Sequence, residues 1–289
     1  MVHATFIAPF VEFEFMRRAL VGVLALALSA APVGIFLMLR RMSLTGDAMA
    51  HAILPGVAVG YLVAGFSISA MTLGGLVAGL VVAVLAGLVA RVTALKEDAT
   101  LAAFYLLSLA LGVILVSVRG SNVDLLHVLF GNVLAIDDSA LVLLAGIATV
   151  TLTTLALIFR PLVLDTVDAG FLASVSRSGG VAHIVFLGLV VVNLVGAFQA
   201  LGTLLGVGIM ILPAVSARFW SSDINVMLPV ALLFAITGAL CGLLVSYHAD
   251  VTTGPAIILC LGAITLVSLL VGRAGGLVWK LVPRRHLEA

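Results

Sequence analysis

Long apolar runs separated by short polar clusters divide the chain into elements. Ala19 to Leu39 is 21 residues without a charge, enough for one helical crossing at about 20 residues per bilayer. Ala48 to Ala90 holds 43 residues with no Asp, Glu, Lys or Arg. As one helix that run would extend about 65 Å, twice the hydrocarbon thickness, so it must fold back. Gly65 to Ser69 is the natural bend. Ala99–Val118 makes a fourth crossing and Ser139–Phe159 a fifth. Gly179 to Ala217 is again uncharged, for 39 residues. It requires a second hairpin, bent near Gln199 to Gly202. Crossings at 226–247 and 254–272 complete a set of nine. The seventh, 202–217, is the shortest and contains Pro213.

The polar pieces are brief. Residues 1–17 mix Phe with Glu12 and Glu14 and lack the cationic start and small-residue cleavage site of a secretory signal, so they read as an amphipathic lead-in. Residues 119–138 surround an apolar centre, LLHVLFGNVLAI, too short to cross and suited to lying along the surface or dipping in. Residues 160–180 form the longest internal polar segment, and 274–289 a basic tail. Composition agrees, with 63% hydrophobic and 9% charged residues, against about 25% charged in soluble domains. The chain is thus expected to be an all-α polytopic membrane protein of about eight to nine transmembrane helices, some short or broken. Alternating the loops puts eleven Lys and Arg on one side, from Arg40 and Arg41 to Arg285, and three, Arg17, Arg18 and Arg119, on the other. The positive-inside bias places the C-terminus and 160–180 in the cytoplasm and the N-terminus outside.

Polar chemistry concentrates in LRRMSLTGDAMAHAILPGVAVG, residues 39–60. Asp47 and His51 are four apart, so on a helix both project from one face. A carboxylate and an imidazole suit first-row divalent cations, and only two ligands would let an ion leave as readily as it enters. The competing reading makes Asp47 a helix cap and His51 a satisfied buried histidine. Pro55 removes a backbone donor, and Gly56 and Gly60 leave a notch for another backbone. Similar GxxxG spacings occur at Gly75/Gly79, Gly202/Gly206 and Gly238/Gly242. They serve either ordinary helix packing or a crossing at a pathway or dimer seam.

A second candidate pair is His248 with Asp250, which fits a cation entrance or a polar turn with Thr252, Thr253 and Gly254. His127 and His183 are isolated. Asp137 and Asp138 read as a helix N-cap or a cation-attracting surface. Cys241 and Cys260 lack CxxC spacing and are expected to be small core residues. Lys96 and Lys280 are the only lysines, and neither belongs to a phosphate-binding loop. No HExxH, GxSxG or nucleophile-plus-base set is present, which leaves a membrane enzyme poorly supported.

Four blocks, LRRMSLTGDAMAHAILPGVAVG (39–60), VLFGNVLAI (128–136), LGTLLGVGIMILPAVSARF (201–219) and SYHADVTTGPAIIL (246–259), resemble in order the membrane-spanning permease subunits of bacterial ABC importers for zinc and manganese. The resemblance covers nearly the whole chain. It implies a permease that pairs with a second copy of itself, receives metal from an extracytoplasmic binding protein, and is driven by two copies of a cytoplasmic ABC ATPase. In that family the G-D-x-x-x-H segment lies on the translocation path, which carries over to Asp47 and His51 as cation ligands. Val167 to Ser178 lies where family members have a cytoplasmic coupling helix that docks into the ATPase. Asp168 would cap it, and Phe171, Leu172, Val175 and Arg177 would belong to the docking segment. This chain lacks the usual Pro after Asp168 and has Ser176 where Gly is common.

The expected organisation is a lead-in at 1–17, a transmembrane permease domain at 18–273 with the coupling segment 160–180, and a cytoplasmic tail at 274–289. The expected function is import of Zn2+ first, Mn2+ next, across the bacterial inner membrane by alternating access, with no permanently bound cofactor and no nucleic acid partner. Uptake is expected to fall below about pH 6, since a protonated imidazole cannot coordinate. The alternative is a stand-alone proton- or cation-coupled secondary transporter, for which no internal repeat is evident. A membrane metalloenzyme would need a third ligand and a general base.

Overall fold

A computed structural model describes residues 8–65, 67–93, 97–118, 133–168, 171, 172, 174, 176 and 178–281. Among these residues every regular element is helical. A short α1 (Ala8–Glu12) leads into α2 (Glu14–Leu39), so the helix begins within the lead-in and already buries Met16. Next come α3 (Ser43–Ala52), α4 (Leu54–Ala64), α5 (Ile68–Val92) and α6 (Glu97–Val118). A 3-10 turn at Val133–Ala135 precedes α7 (Asp138–Val167), α8 (Ser178–Ala200), α9 (Thr203–Arg218), α10 (Ile224–Ala249), α11 (Thr253–Val271) and α12 (Leu277–Leu281). Seven spans are long and apolar enough to cross a membrane, with α3 and α4 counted together, and Ala99–Leu115 and Thr203–Arg218 are shorter apolar helices.

Both expected hairpin bends occur, at Gly65 (φ 65°) and Gly202 (φ 94°), where the positive dihedral favours glycine. α7 runs on past Phe159 through Arg160 and Pro161 to Val167. At 30 residues it measures about 45 Å and outreaches the hydrocarbon layer. Residues 160–167, with Arg160 and Asp165 among them, therefore extend a helix rather than open a loop.

α2 and α8 form the centre, each with 67% of its apolar window buried within the chain. Phe36 on α2 lies edge-on to both Phe159 on α7 and Phe186 on α8. α3 to α6 pack together on one flank, while on the other α9 and α10 pack against α2 and α11 packs against α9 and α10. The GxxxG glycines serve crossings within the chain. A methyl group added to Gly56 would overlap the Gly74 carbonyl, and one added to Gly242 would overlap the Ile257 backbone. Small residues let helices approach where lipid supplies no hydrophobic drive for association.

Loop contacts sort the helix ends into two groups. At one end Arg18 pairs with Glu14 (2.7 Å) and Asp138 (3.2 Å), and Phe13 stacks on Tyr247 at 5.7 Å. At the other, Arg40 pairs with Asp165, the Ala274 N–H donates to the Phe219 carbonyl, and Trp220 Nε1 donates to Ser268. These groupings match the loop alternation expected from the sequence. Cys241 is exposed and Cys260 half-exposed on the outer surface of the chain. They are not core residues, because α10 and α11 each turn one apolar face outward, and hydropathy alone does not distinguish a buried face from that one.

Candidate metal site

Arg41 turns the chain from α2 into α3 with a left-handed backbone (φ 60°). Met42 then donates its N–H to the Leu37 carbonyl at 2.8 Å. One turn into α3, Asp47 and His51 share a face, with Nε2 3.8 Å from Oδ1. That is beyond hydrogen-bond reach and slightly wider than the roughly 3–3.5 Å between two donors on one ion with bonds near 2.1 Å. A small side-chain rotation would let both ligate the same cation. Asp47, but not His51, lines a cavity of about 190 Å³ together with Leu44, Thr45 and Ala48 of α3 and Leu101, Ala102 and Tyr105 of α6.

The electrostatic setting is uneven. The Asp47 side chain is 63% exposed and the His51 side chain 29%. Nδ1 of His51 and Oγ1 of Thr45 are buried and have no hydrogen-bond partner within the described residues. Nε2 is thus the nitrogen that faces Asp47. Among the described residues no group of three or more His, Cys, Asp or Glu stands together, so the chain brings two candidate donors, Asp47 and His51, to this place.

The helix carrying the pair is broken where the sequence suggests. Pro55 occupies the first turn of α4, and the chain pivots at Ile53. Ser108 of α6, itself buried, donates to the Ala52 carbonyl at 2.8 Å. Tyr105 lies beside His51, ring centroids 6.2 Å apart and planes tilted by 31°. The α6 wall was missed in the sequence, although Leu101, Tyr105, Ser108 and Gly112 follow i, i+4, i+7, i+11 spacing.

His248 and Asp250 stand apart from this pair. They belong to the Arg18 end, next to Tyr247, whereas α3 begins at the Arg40 end. Asp250 terminates α10 in a left-handed conformation (φ 51°), its N–H bonded to the Ser246 carbonyl. That geometry is a turn, the role the sequence left open. His183 is half-buried on α8. His127 lies outside the described residues.

At the Arg40 end, Asp168 Oδ1 accepts from the Phe171 N–H at 2.8 Å, as a cap does. Phe171 is 58% exposed, but Leu172 is 4% exposed. The Leu172 side chain packs over Gly179, close to Asp165. Val175 and Arg177 lie outside the described residues. Asp165, on the last turns of α7, pairs with Arg40, and the two side chains are 11% and 10% exposed. The Arg40 guanidinium also lies 5.5 Å from the centre of the Phe186 ring. Sequence reasoning counted Arg40 as a loop charge and missed this pair, which joins residues 125 positions apart.

The comparisons with known proteins point to one family. Residues 12–272 match it. The chain belongs to the ABC 3 transport family. It is 32% identical over 263 residues to the manganese import system permease protein ScaB of Streptococcus parasanguinis, covering 91% of this chain and 92% of that protein. It is 31% identical over 255 residues to the manganese transport system membrane protein MntC of Halalkalibacterium halodurans, covering 88% and 86%. The structure of PsaBC from Streptococcus pneumoniae in complex with Fab superposes with a TM-score of 0.82 at 30% identity, covering 94% of this chain and 96% of that one. This ABC 3 member is therefore the multi-pass, metal-transporting permease type of subunit.

Proposed function

We propose that this chain is the permease of an ATP-driven importer that carries Mn2+ into the cytoplasm, with Asp47 and His51 as its cation ligands. The Asp47/His51 pair on one face of α3, with Asp47 opening into the α3–α6 cavity, carries the reading. A carboxylate 63% exposed in a span-length apolar stretch is costly against lipid. It belongs beside water, the cargo, or a second copy of the chain. Two copies would bring four such ligands to one path.

Manganese is preferred over zinc for two reasons. The relatives above carry manganese in their names. The pair also offers oxygen and imidazole nitrogen without a thiolate, and the cavity of about 190 Å³ beside Asp47 leaves room for several waters at about 30 Å³ each, as an ion of octahedral preference keeps. Zinc is the second candidate, since the same two ligands hold it. The partners are two copies of a cytoplasmic ABC ATPase docked at the segment begun by Asp168, with Phe171 as the outward contact and Leu172 as its seat. A binding protein supplies metal from outside. The positive-inside bias puts the Arg40 end in the cytoplasm.

The test is uptake of labelled manganese and, separately, labelled zinc in metal-starved cells expressing the chain with its ATPase and binding protein. Asp47→Ala and His51→Ala should each abolish manganese uptake at normal protein levels. Uptake surviving in both variants would remove the pair from the path. Zinc uptake alone would overturn the metal choice.

A further inference from the structure

The break after His51 is held from outside its own helix. Pro55 has no N–H for the His51 carbonyl four residues earlier, so α3 cannot run straight into α4. Such a break in a transmembrane helix persists only where neighbours satisfy and brace the freed backbone. Here one face of α6 lies against the break at three successive points, one of them a hydrogen bond to the backbone. Tyr105 lies beside the His51 ring. Ser108 Oγ donates to the Ala52 carbonyl, the peptide directly after His51. Gly112 is so close to the Leu54–Pro55 backbone that an added methyl would stand 3.1 Å from the Pro55 nitrogen.

We propose that Ser108 is a positioning residue for the metal pair, fixing the last turn of α3 so that His51 Nε2 meets the same ion as Asp47. The inference rests on the reading of Asp47 and His51 as ligands. Its physical basis is the weakness of a two-ligand site, whose affinity depends on how narrowly the donors are held. The donors begin 3.8 Å apart, and a pivot at Ile53 free to swing would widen that range. Ser108 does not line the cavity beside Asp47, and its hydroxyl proton is given to the Ala52 carbonyl. Tyr105 restricts the imidazole plane from the same helix, and Gly112 keeps α6 near enough for the Ser108 bond to form.

The experiment is a Mn2+ titration of the intact permease–ATPase complex in detergent, without binding protein. The loss of the six-line electron paramagnetic resonance signal of free Mn2+ reports binding. Ser108→Ala should weaken affinity about tenfold, the lower end for loss of a residue that supports a ligand. Ser108→Thr, which keeps the hydroxyl, should stay within about twofold of the parent. A purely structural role would lower the unfolding temperature and leave the affinity unchanged, which overturns the proposal. Equal losses for Thr and Ala would overturn it too, by making side-chain shape the cause. Should Ser108→Ala not assemble, Ser108→Cys preserves shape with only a weak donor and is judged by the same tenfold criterion. Asp47→Asn separates the two levels. If it leaves binding unchanged, the ligand reading fails; if it removes binding while Ser108→Ala does not weaken it, only the positioning role fails.

Discussion

Replacing Asp165 by Asn tests the largest electrostatic feature of the Arg40 end. The carboxylate and guanidinium are 11% and 10% exposed and meet across the gap between α7 and the end of α2. Two unit charges 4 Å apart attract by about 4 kcal/mol at an effective dielectric of 20, and removing one partner of a buried pair typically costs about 3–5 kcal/mol. The Phe186 ring, 5.5 Å from the guanidinium, faces it in parent and variant alike and so cancels in the difference. Because asparagine keeps a hydrogen-bonding oxygen for the guanidinium, the expectation is the low end of that range, a loss of about 3 kcal/mol, or roughly 6–12 °C in unfolding midpoint at this chain length. Unfolding in detergent can be followed by the fluorescence of Trp220 and Trp279, since the Trp220 indole donates to Ser268 at the same end. The double variant Arg40→Met with Asp165→Leu should recover most of the loss, because an apolar pair of similar volume avoids the desolvation of both charges. A shift under about 2 °C for Asp165→Asn, or a double variant no better than the single one, would refute the reasoning.

Gly56→Val should block assembly of the α4–α5 crossing, because the added carbon overlaps the Gly74 carbonyl; yield of monodisperse protein measures it, and a normal yield would count against the crossing. Phe171→Ala should release co-purifying ATPase without lowering the unfolding temperature of the permease, whereas Leu172→Ala, buried at 4% exposure, should lower stability by about 2 kcal/mol or more. Identical behaviour of the two variants would be the contrary result. Asp137 accepts from the Ala140 N–H at 2.9 Å and from the Ser139 hydroxyl, and the Ala140 bond, then Ser139, hold its carboxyl below the ordinary 3.8. Because the folded state favours the charged form, the cap's charge-dependent stabilisation is present above about pH 4 and is lost as pH falls through the lowered value. Asp137→Ala should fray the start of α7, seen as faster amide exchange there at pH 7, and the difference from the parent should shrink in acid.

Most of the fold could be read from the chain because a bilayer admits few solutions. Uncharged runs longer than one crossing had to bend, and Gly65 and Gly202 supplied the dihedrals. Pro55 announced the broken helix, and i, i+4 spacing put Asp47 and His51 on one face. The resemblance to metal importers rested on residues 39–60, 128–136, 201–219 and 246–259 in order, and the family match over 12–272 agrees with it. Helix ends were less legible. Arg160 and Asp165 looked like loop residues because polarity marks the membrane boundary, not the end of a hydrogen-bonded helix.

By itself, then, the sequence determined what is local and periodic: the class, the crossings, the bends and the pair on α3. The outward position of Cys241, the inward turn of Leu172 beside an exposed Phe171, and the parting of His248 from His51 depended on which face each helix shows its neighbours. So did the Arg40–Asp165 pair and the hold of Ser108 on the Ala52 carbonyl, 125 and 56 residues apart in the chain. Hydropathy is nearly uniform around these helices, so it carries almost no information about helix rotation. Close packing of small residues and the satisfaction of buried polar groups set that rotation, and both exist only once the helices have met.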